Sequence, residues 1–470
     1  MKRKTLLGAL VAITTICCVS AFAACNRDAE IAEKETDAKG LEYAVSEDGT
    51  HCVCTGIGTC TETEIEISVT YDGKPVTEIG DGAFRNCETL VSVVVPEGIS
   101  KIGFSAFSSC TGLTRIDLPE TLTTIEKFAF NGCWNLTDVS LPEGIETIGG
   151  YAFDDCDKLQ FNVYGNAAYL GNDDNPYLAL IKAVDKDIAS CTVHENAKII
   201  AGSAFIYCRQ LKTVTIAEGV ENVGSYAFHF CEALSDVTIP DRVTCIGDFA
   251  FSNCHALKNL SLGKGVKTIG NNAFELCRTL STVGFPDGLN GIGQNAFSAC
   301  HGLKSVFIPD AVTNLGKNAF SHCDGITNAV IGDGVTEISN SLFSGCVALE
   351  NVTLPESLIS IGSSSFSSCR ELTNVVLPEN VSSIGFSAFN GCEKLNGIDI
   401  PQRVSFIGAL AFKGCDSLLR VTFHNASGWR YAEAPGQTNG TDISNASLTD
   451  PTTAAICLTS SYCSFYWERI

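Results

Sequence analysis

Apolar residues return along most of the chain at a fixed spacing. "IGFSAFSSCTGLTRIDLPETLTT" (102–124) is followed by "IEKFAFNGCWNLTDVSLPEGIET", and later by "IGDFAFSNCHALKNLSLGKGVKT", in the same order of apolar and polar positions. Cys87, Cys110, Cys133 and Cys156 stand 23 residues apart, as do Cys208, Cys231, Cys254, Cys277, Cys300, Cys323, Cys346, Cys369, Cys392 and Cys415. A Phe stands three residues before each of these cysteines, from Phe84 to Phe412. The unit reads C-x-x-L-x-x-V-x-L-P-E-x-V-x-x-I-G-x-x-A-F-x-x. A unit this short cannot bury its own apolar side, so the period predicts coils that stack into one continuous core. The x-V-x-L segment alternates with period two and reads as a strand, with Val214 and Ile216, then Val237 and Ile239, facing inward. Neighbouring strands would be parallel, about 4.8 Å apart. Pro-Glu-Gly ends the strand in a turn. A second short strand fits T-x-I-G, and Ala-Phe is expected in a short helical turn that plugs the ring into the core.

The register breaks once. Cys156 and Cys208 are 52 residues apart, so the unit 157–185 has 29 residues and places Asp185 in the cysteine slot. Its six extra residues are expected to protrude as a loop or hairpin around Gly171 to Pro176. The solenoid spans 76–423. Residues 41–75, with Asp-Gly turns at Asp48-Gly49 and Asp72-Gly73, are expected to cap its front. Residues 424–470 lose the period and are expected to fold back as a cap, since an open coil exposes core and strand edge.

The phrase "IGxxAFxxCxxLxxVxLP" resembles the BspA-type leucine-rich repeat of bacterial and protist surface proteins over about residues 41–423. The fold class is therefore a β-rich repeat solenoid of parallel stacked coils with short helical turns. The resemblance implies a cell-surface, adhesin-like protein whose partner is a host or bacterial surface protein, extracellular matrix or a glycan.

Composition narrows the picture. The formal net charge of −22 disfavours nucleic acid, which needs a basic face. Met1-Lys2-Arg3-Lys4 followed by the apolar run Leu6–Val19 and Ala21-Phe22-Ala23 reads as a signal peptide over 1–24. "AFAAC" resembles a lipobox, which makes Cys25 the lipidated residue and 25–40 a tether. Simple secretion and an uncleaved anchor are the alternatives. The chain would then touch a membrane only through the lipid.

The cysteine ladder reads as buried thiols. Stacked Cβ atoms about 4.8 Å apart do not match the closer separation of a disulfide. A disulfide among the cysteines of either cap remains open. No zinc, EF-hand, nucleophile-elbow or Walker pattern occurs, so no metal, cofactor or catalytic residue is assigned and no enzyme is expected. The recurring acids Glu97, Glu120, Glu143, Asp287, Asp310, Asp333, Glu356 and Glu379 read as solvated turn residues. On the outward strand face, Phe307, Val330 and Val376 break a column of mostly small polar residues and are the candidate binding residues. They compete with a purely structural role as cross-strand pairs. A structural envelope or biofilm component is the alternative function.

Overall fold

The computed structural model describes residues 35–36, 39–437 and 440–469. The signal peptide and Cys25 lie outside the described residues. Each 23-residue unit makes one coil with three faces. The first is the x-V-x-L strand. Thr213–Thr215, Asp236–Thr238, Asn259–Ser261 and Thr282–Gly284 follow one another in parallel, with pairs such as Val237↔Leu260 and Leu260↔Val283. Val214, Ile216, Val237 and Ile239 are buried, as their alternation requires. The second face is a row of two-residue strands at T-x-I-G, again parallel, from Ile199–Ile200 through Asn222–Val223 and Cys245–Ile246 to Asn314–Leu315.

The third face carries Ala-Phe-x-x-Cys. It makes i→i−3 turns, for example Ala227 N to Gly224 O at 3.2 Å and Cys231 N to Phe228 O at 3.1 Å. The expected helical turn does not run on into a helix, because residues with positive φ punctuate it. Tyr226 stands at 61° and Phe230 at 59°. Left-handed residues turn alternate amides toward the next coil, so Tyr226 N reaches Asp248 O (2.8 Å) and Phe228 N reaches Ala250 O (2.7 Å). Backbone polar groups are thus paired between coils on all three faces.

The glycine of the I-G pair is there for lack of space. A Cβ on Gly224 would lie 2.5 Å from the backbone nitrogen of Gly202, and one on Gly247 would lie 2.5 Å from that of Ser225.

Inside, Phe rings form stacks with centroids about 5 Å apart, such as 4.9 Å for Phe228–Phe251 and 5.2 Å for Phe251–Phe274. The ladder cysteines from Cys110 onward are buried, whereas Cys87 is half-buried. No described cysteine joins a disulfide. Ladder thiols with a phenylalanine coil before them donate to its carbonyl, as Cys254 Sγ does to Phe228 O (3.2 Å) and Cys277 Sγ to Phe251 O (3.2 Å). That carbonyl already accepts the amide of its own coil's cysteine, so the thiol fills the second lone pair. A small apolar side chain with one weak donor suits this slot better than alanine, which offers no donor.

At the front, Glu42–Val45 pairs antiparallel with Cys52–Gly56, which runs parallel to Lys74–Ile79 and so joins the row of Lys101–Ile102. At the back, Tyr466–Arg469 lies antiparallel between Phe406–Ile407 and Trp429–Ala432, and the strands bury their Trp467 and Trp429 side chains.

The longer unit is a wedge. Asn162–Tyr164, Ala167–Leu170 and Ala179–Ala183 form an antiparallel meander whose last strand pairs parallel with Ile199–Ile200. Its 171–176 connection does not stand free, although Asp173 and Asp174 at its tip are exposed. Leu141 N binds Gly171 O (2.9 Å), Asn172 Nδ2 binds Leu141 O (3.0 Å) and Asn175 Nδ2 binds Asn196 O (2.9 Å). The loop therefore bridges the strand rows before and after it. The core accordingly falls into two clusters that meet at this unit.

Candidate functional site

The strand-face residues are placed as the alternation requires. Phe307 is 57% exposed, Val376 is 74% exposed and Val330 is half-buried. Phe307 and Val330 are direct partners in parallel strands. Val376 lies two coils beyond Val330, with Thr353 between, so the three do not form one compact patch. Two of the turn acids act inside the scaffold. Glu97 Oε1 accepts the Glu120 amide (3.0 Å) and Asp310 Oδ1 accepts the Asp333 amide (3.1 Å), each one coil on. Among the described residues no group of three or more His, Cys, Asp or Glu side chains is placed to hold a metal ion.

A denser cluster lies on the turn face, which the sequence reading passed over. The two positive-φ columns mostly hold Ser, Asn or Gly. Around the wedge they hold Phe128, Tyr151, Tyr207, Tyr226, Phe230 and Phe249, all with φ between 57° and 62°. A bulky side chain in this region is an outlier that costs free energy. Two pairs stack along the coils, Phe128 on Tyr151 (5.4 Å) and Tyr226 on Phe249 (4.8 Å), and Tyr207 stacks on Phe230 (5.3 Å). Phe104 extends the first pair edge-on at 5.9 Å. Lys127 Nζ joins the groups, 5.0 Å from the Phe128 ring and 5.3 Å from the Tyr226 ring. His229 sits among Tyr207, Tyr226, Phe230 and Phe249, and its buried Nδ1 has no hydrogen-bond partner. Burial pushes its pKa down, so the ring is held neutral. Tyr207 and Phe104 remain 47% and 45% exposed, which makes the cluster a surface rather than core.

The patch flanks a cavity of about 120 Å³ at the break. The coils touch where Gly202 N donates to Ile148 O (2.8 Å). Residues 181–183 pass beside them, and Ala183 N donates to Ala204 O (2.8 Å), the bond that Phe205 N makes to Ala227 O (2.7 Å) in the next coil. Ala183 thus has the backbone position of a stack phenylalanine without its ring. The phenylalanine stack runs from Phe84 to Phe153 and from Phe205 to Phe412, and among the described residues no ring contact spans the gap. Ile148, Ala152, Phe153, Ile181 and Ala201 make the apolar walls, and Tyr151, Asp154, Lys182, Lys186 and Ser203 the polar part.

This architecture defines a leucine-rich-repeat solenoid. A family model described as "BspA type Leucine rich repeat region" matches residues 59–173, 198–327 and 313–428, leaving the wedge partly between matches. The chain belongs to that family, whose members are generally cell-surface proteins and whose fold is typically non-enzymatic. Among solved structures, a leucine-rich repeat protein from Bacteroides ovatus is similar at 25% identity, covering 82% of this chain and 93% of that one, with a TM-score of 0.49. A leucine rich cell surface protein from Faecalibacterium prausnitzii is similar at 26% identity, covering 83% and 95%, with a TM-score of 0.33. The pneumococcal vaccine antigen PcpA is similar at 20% identity, covering 77% and 95%, with a TM-score of 0.29. No curated protein matches the chain. No helix among the described residues is long and apolar enough to cross a membrane.

Proposed function

We propose that the protein is an exported, lipid-anchored cell-surface binding protein that takes hold of a partner polypeptide through the aromatic patch of its turn face. One observation carries this reading: six aromatic side chains held in left-handed backbone, grouped on both sides of the only long unit of the repeat. Strain of this kind persists where the surrounding structure over-determines it, and it clusters at binding sites. Exposed Tyr and Phe rings supply large contact area at low entropic cost, and aromatic residues dominate the energetic centres of protein interfaces.

The test pairs binding with stability on the full chain. Tyr207→Asn and Phe230→Asn put a residue that tolerates positive φ in place of a ring. Saturable binding to arrayed matrix and bacterial surface proteins should fall while the melting temperature holds or rises. Binding confined to arrayed glycans would replace the polypeptide by a sugar partner. Loss on Phe307→Ser, Val330→Ser or Val376→Ser instead would return the site to the strand face. No saturable binding at all would leave a structural envelope component. Cys25→Ser tests the anchor, since the protein should then leave the membrane fraction.

A further inference from the structure

We infer that the cavity at the break is a binding slot for one aromatic ring bearing a hydroxyl group, a phenol. The inference deepens the polypeptide reading above by naming its anchor, but the slot can be tested without any partner protein.

Shape comes first. Every other coil from 84 to 412 puts a phenylalanine ring into the stack. The wedge puts Ala183 there, by its hydrogen bond to Ala204, and the cavity lies against that alanine. Its size is that of one ring: an apolar protein cavity of about 150 Å³ takes up benzene. The wall left by the interrupted stack includes Phe153 itself, and Ile148, Ile181 and Ala201 complete an apolar lining suited to a ring.

Chemistry then narrows the ring. Ser203 is 7% exposed, lines the cavity, and its Oγ is buried without a hydrogen-bond partner. That oxygen packs against Gly150, 2.4 Å from where a Cβ there would sit, and the glycine CH2 gives it no hydrogen-bond partner. An unpaired buried hydroxyl is costly, and a ligand hydroxyl placed in the slot removes that cost. The other polar groups are engaged or outward. Lys186 Nζ donates to Ile206 O (2.9 Å), and Lys182 Nζ lies over the Phe161 ring (4.8 Å). Asp154, at the same mouth, disfavours an anionic substituent, so a neutral hydroxyl fits better than a carboxylate. Tyr151 and Tyr207 lie on the adjoining surface, so a peptide that inserts a tyrosine would lay its neighbouring residues on the patch.

The experiment titrates the full chain with phenol, toluene and N-acetyltyrosinamide, observed by saturation-transfer NMR and by melting temperature. Phenol should bind saturably and raise the melting temperature. Toluene should bind about fivefold more weakly, the difference one buried hydrogen bond makes. Ser203→Ala should remove that preference. Ala183→Phe fills the slot from inside and should abolish phenol binding while the fold is kept. Ala183→Leu, which fills it in part, should weaken binding in proportion and serves if the larger residue is not tolerated. Binding of both phenol and the tyrosine derivative supports a side-chain anchor. Binding of phenol alone supports a small-molecule site of the same chemistry. No binding by the unmodified chain, or undiminished binding by Ala183→Phe, overturns the slot. Equal affinity for toluene and phenol overturns the role of Ser203. Because these probes are small, the slot can stand while the partner reading fails, and the reverse.

Discussion

The run of coils from 198 to 415 and the wedge at 157–197 are built from one chain by opposite means. In the run, every coil repeats the contacts of its neighbour. Rings stack, thiols cap carbonyls and glycines let backbones touch, so each position is fixed by the same position one coil away. In the wedge, strands pair antiparallel, an alanine replaces a ring, no thiol follows it and asparagine side chains tie the loop down. Periodicity gives rigidity and sameness, and its interruption gives the molecule a place unlike any other. The positive-φ aromatics gather beside that place.

The largest contrast should appear at alkaline pH. Burial pushes the ladder thiols upward, Cys110 to about 12, from an ordinary value of 9.0. A raised folded pKa gives stability that is whole below the unfolded value and drains away as pH rises toward the folded one. Summed along the ladder, this predicts cooperative unfolding between pH 9 and 12, followed by circular dichroism. Cys208, beside the wedge and with the Lys186 charge near it, is raised to about 11, while Cys254, deep in the run, is pushed well above 9.0 by burial and its thiol neighbour Cys231. Timed alkylation with mass spectrometry should therefore modify Cys208 before Cys254, and the half-buried Cys60 and Cys463 before either. The reverse order would erase the distinction between wedge and run.

Removing a ring from the run comes next. Phe274→Ala should destabilise by about 3–5 kcal/mol in urea melts, since the cavity opens between two fixed neighbours. Lys182→Ala, on an outward side chain of the wedge, should cost well under 1 kcal/mol.

Smaller again is the test of close approach. Gly247→Ala meets backbone in the coil before it and should cost about 1–3 kcal/mol. Gly150→Ala meets mainly the Ser203 side chain and should cost less. Equal losses would mean that the coils are as tightly fitted at the break as elsewhere.

The smallest effect lies outside both regions. Asp48 accepts hydrogen bonds from Ser46 and Thr50, which hold its carboxyl at about 2, below the ordinary 3.8. A depressed folded pKa gives stability that is present above the unfolded value and lost as pH falls through the folded one. Asp48→Asn should therefore lower stability slightly at neutral pH, with the difference shrinking as pH falls from about 4 and gone below about 2.

Much of this was legible in the sequence, because a repeat states its constraints many times over. The spacing of Phe84 to Phe412 and of the cysteines announced the coil, the buried thiols and the inward strand residues. The acids read as turn residues, though the hold of Glu97 and Asp310 on the next coil's amides depends on backbone geometry that no spacing reveals. The left-handed columns were hidden because Ser105, Asn272 or Ser341 are as ordinary in a helix start as at positive φ. With those columns unseen, Phe128, Tyr151, Tyr207, Tyr226, Phe230 and Phe249 looked like scattered variation. They stand out only as exceptions within their own columns, in the way that Phe307, Val330 and Val376 stand out on the strand face. The ring-sized vacancy was not legible at all. It depends on Ala183, rather than Lys182, taking the phenylalanine position, a one-residue shift made inside the meander.

The seam between coils is the same from joint to joint within the uniform run, and this has a consequence for how such a molecule changes over generations. A duplication or deletion of 23 codons in the uniform stretch joins two surfaces that already fit, so length can drift without a new interior having to be found. The aromatic outcrop sits on the coils that flank the wedge, at 128–151 and 207–249, so a change of length beyond residue 249 leaves it in place.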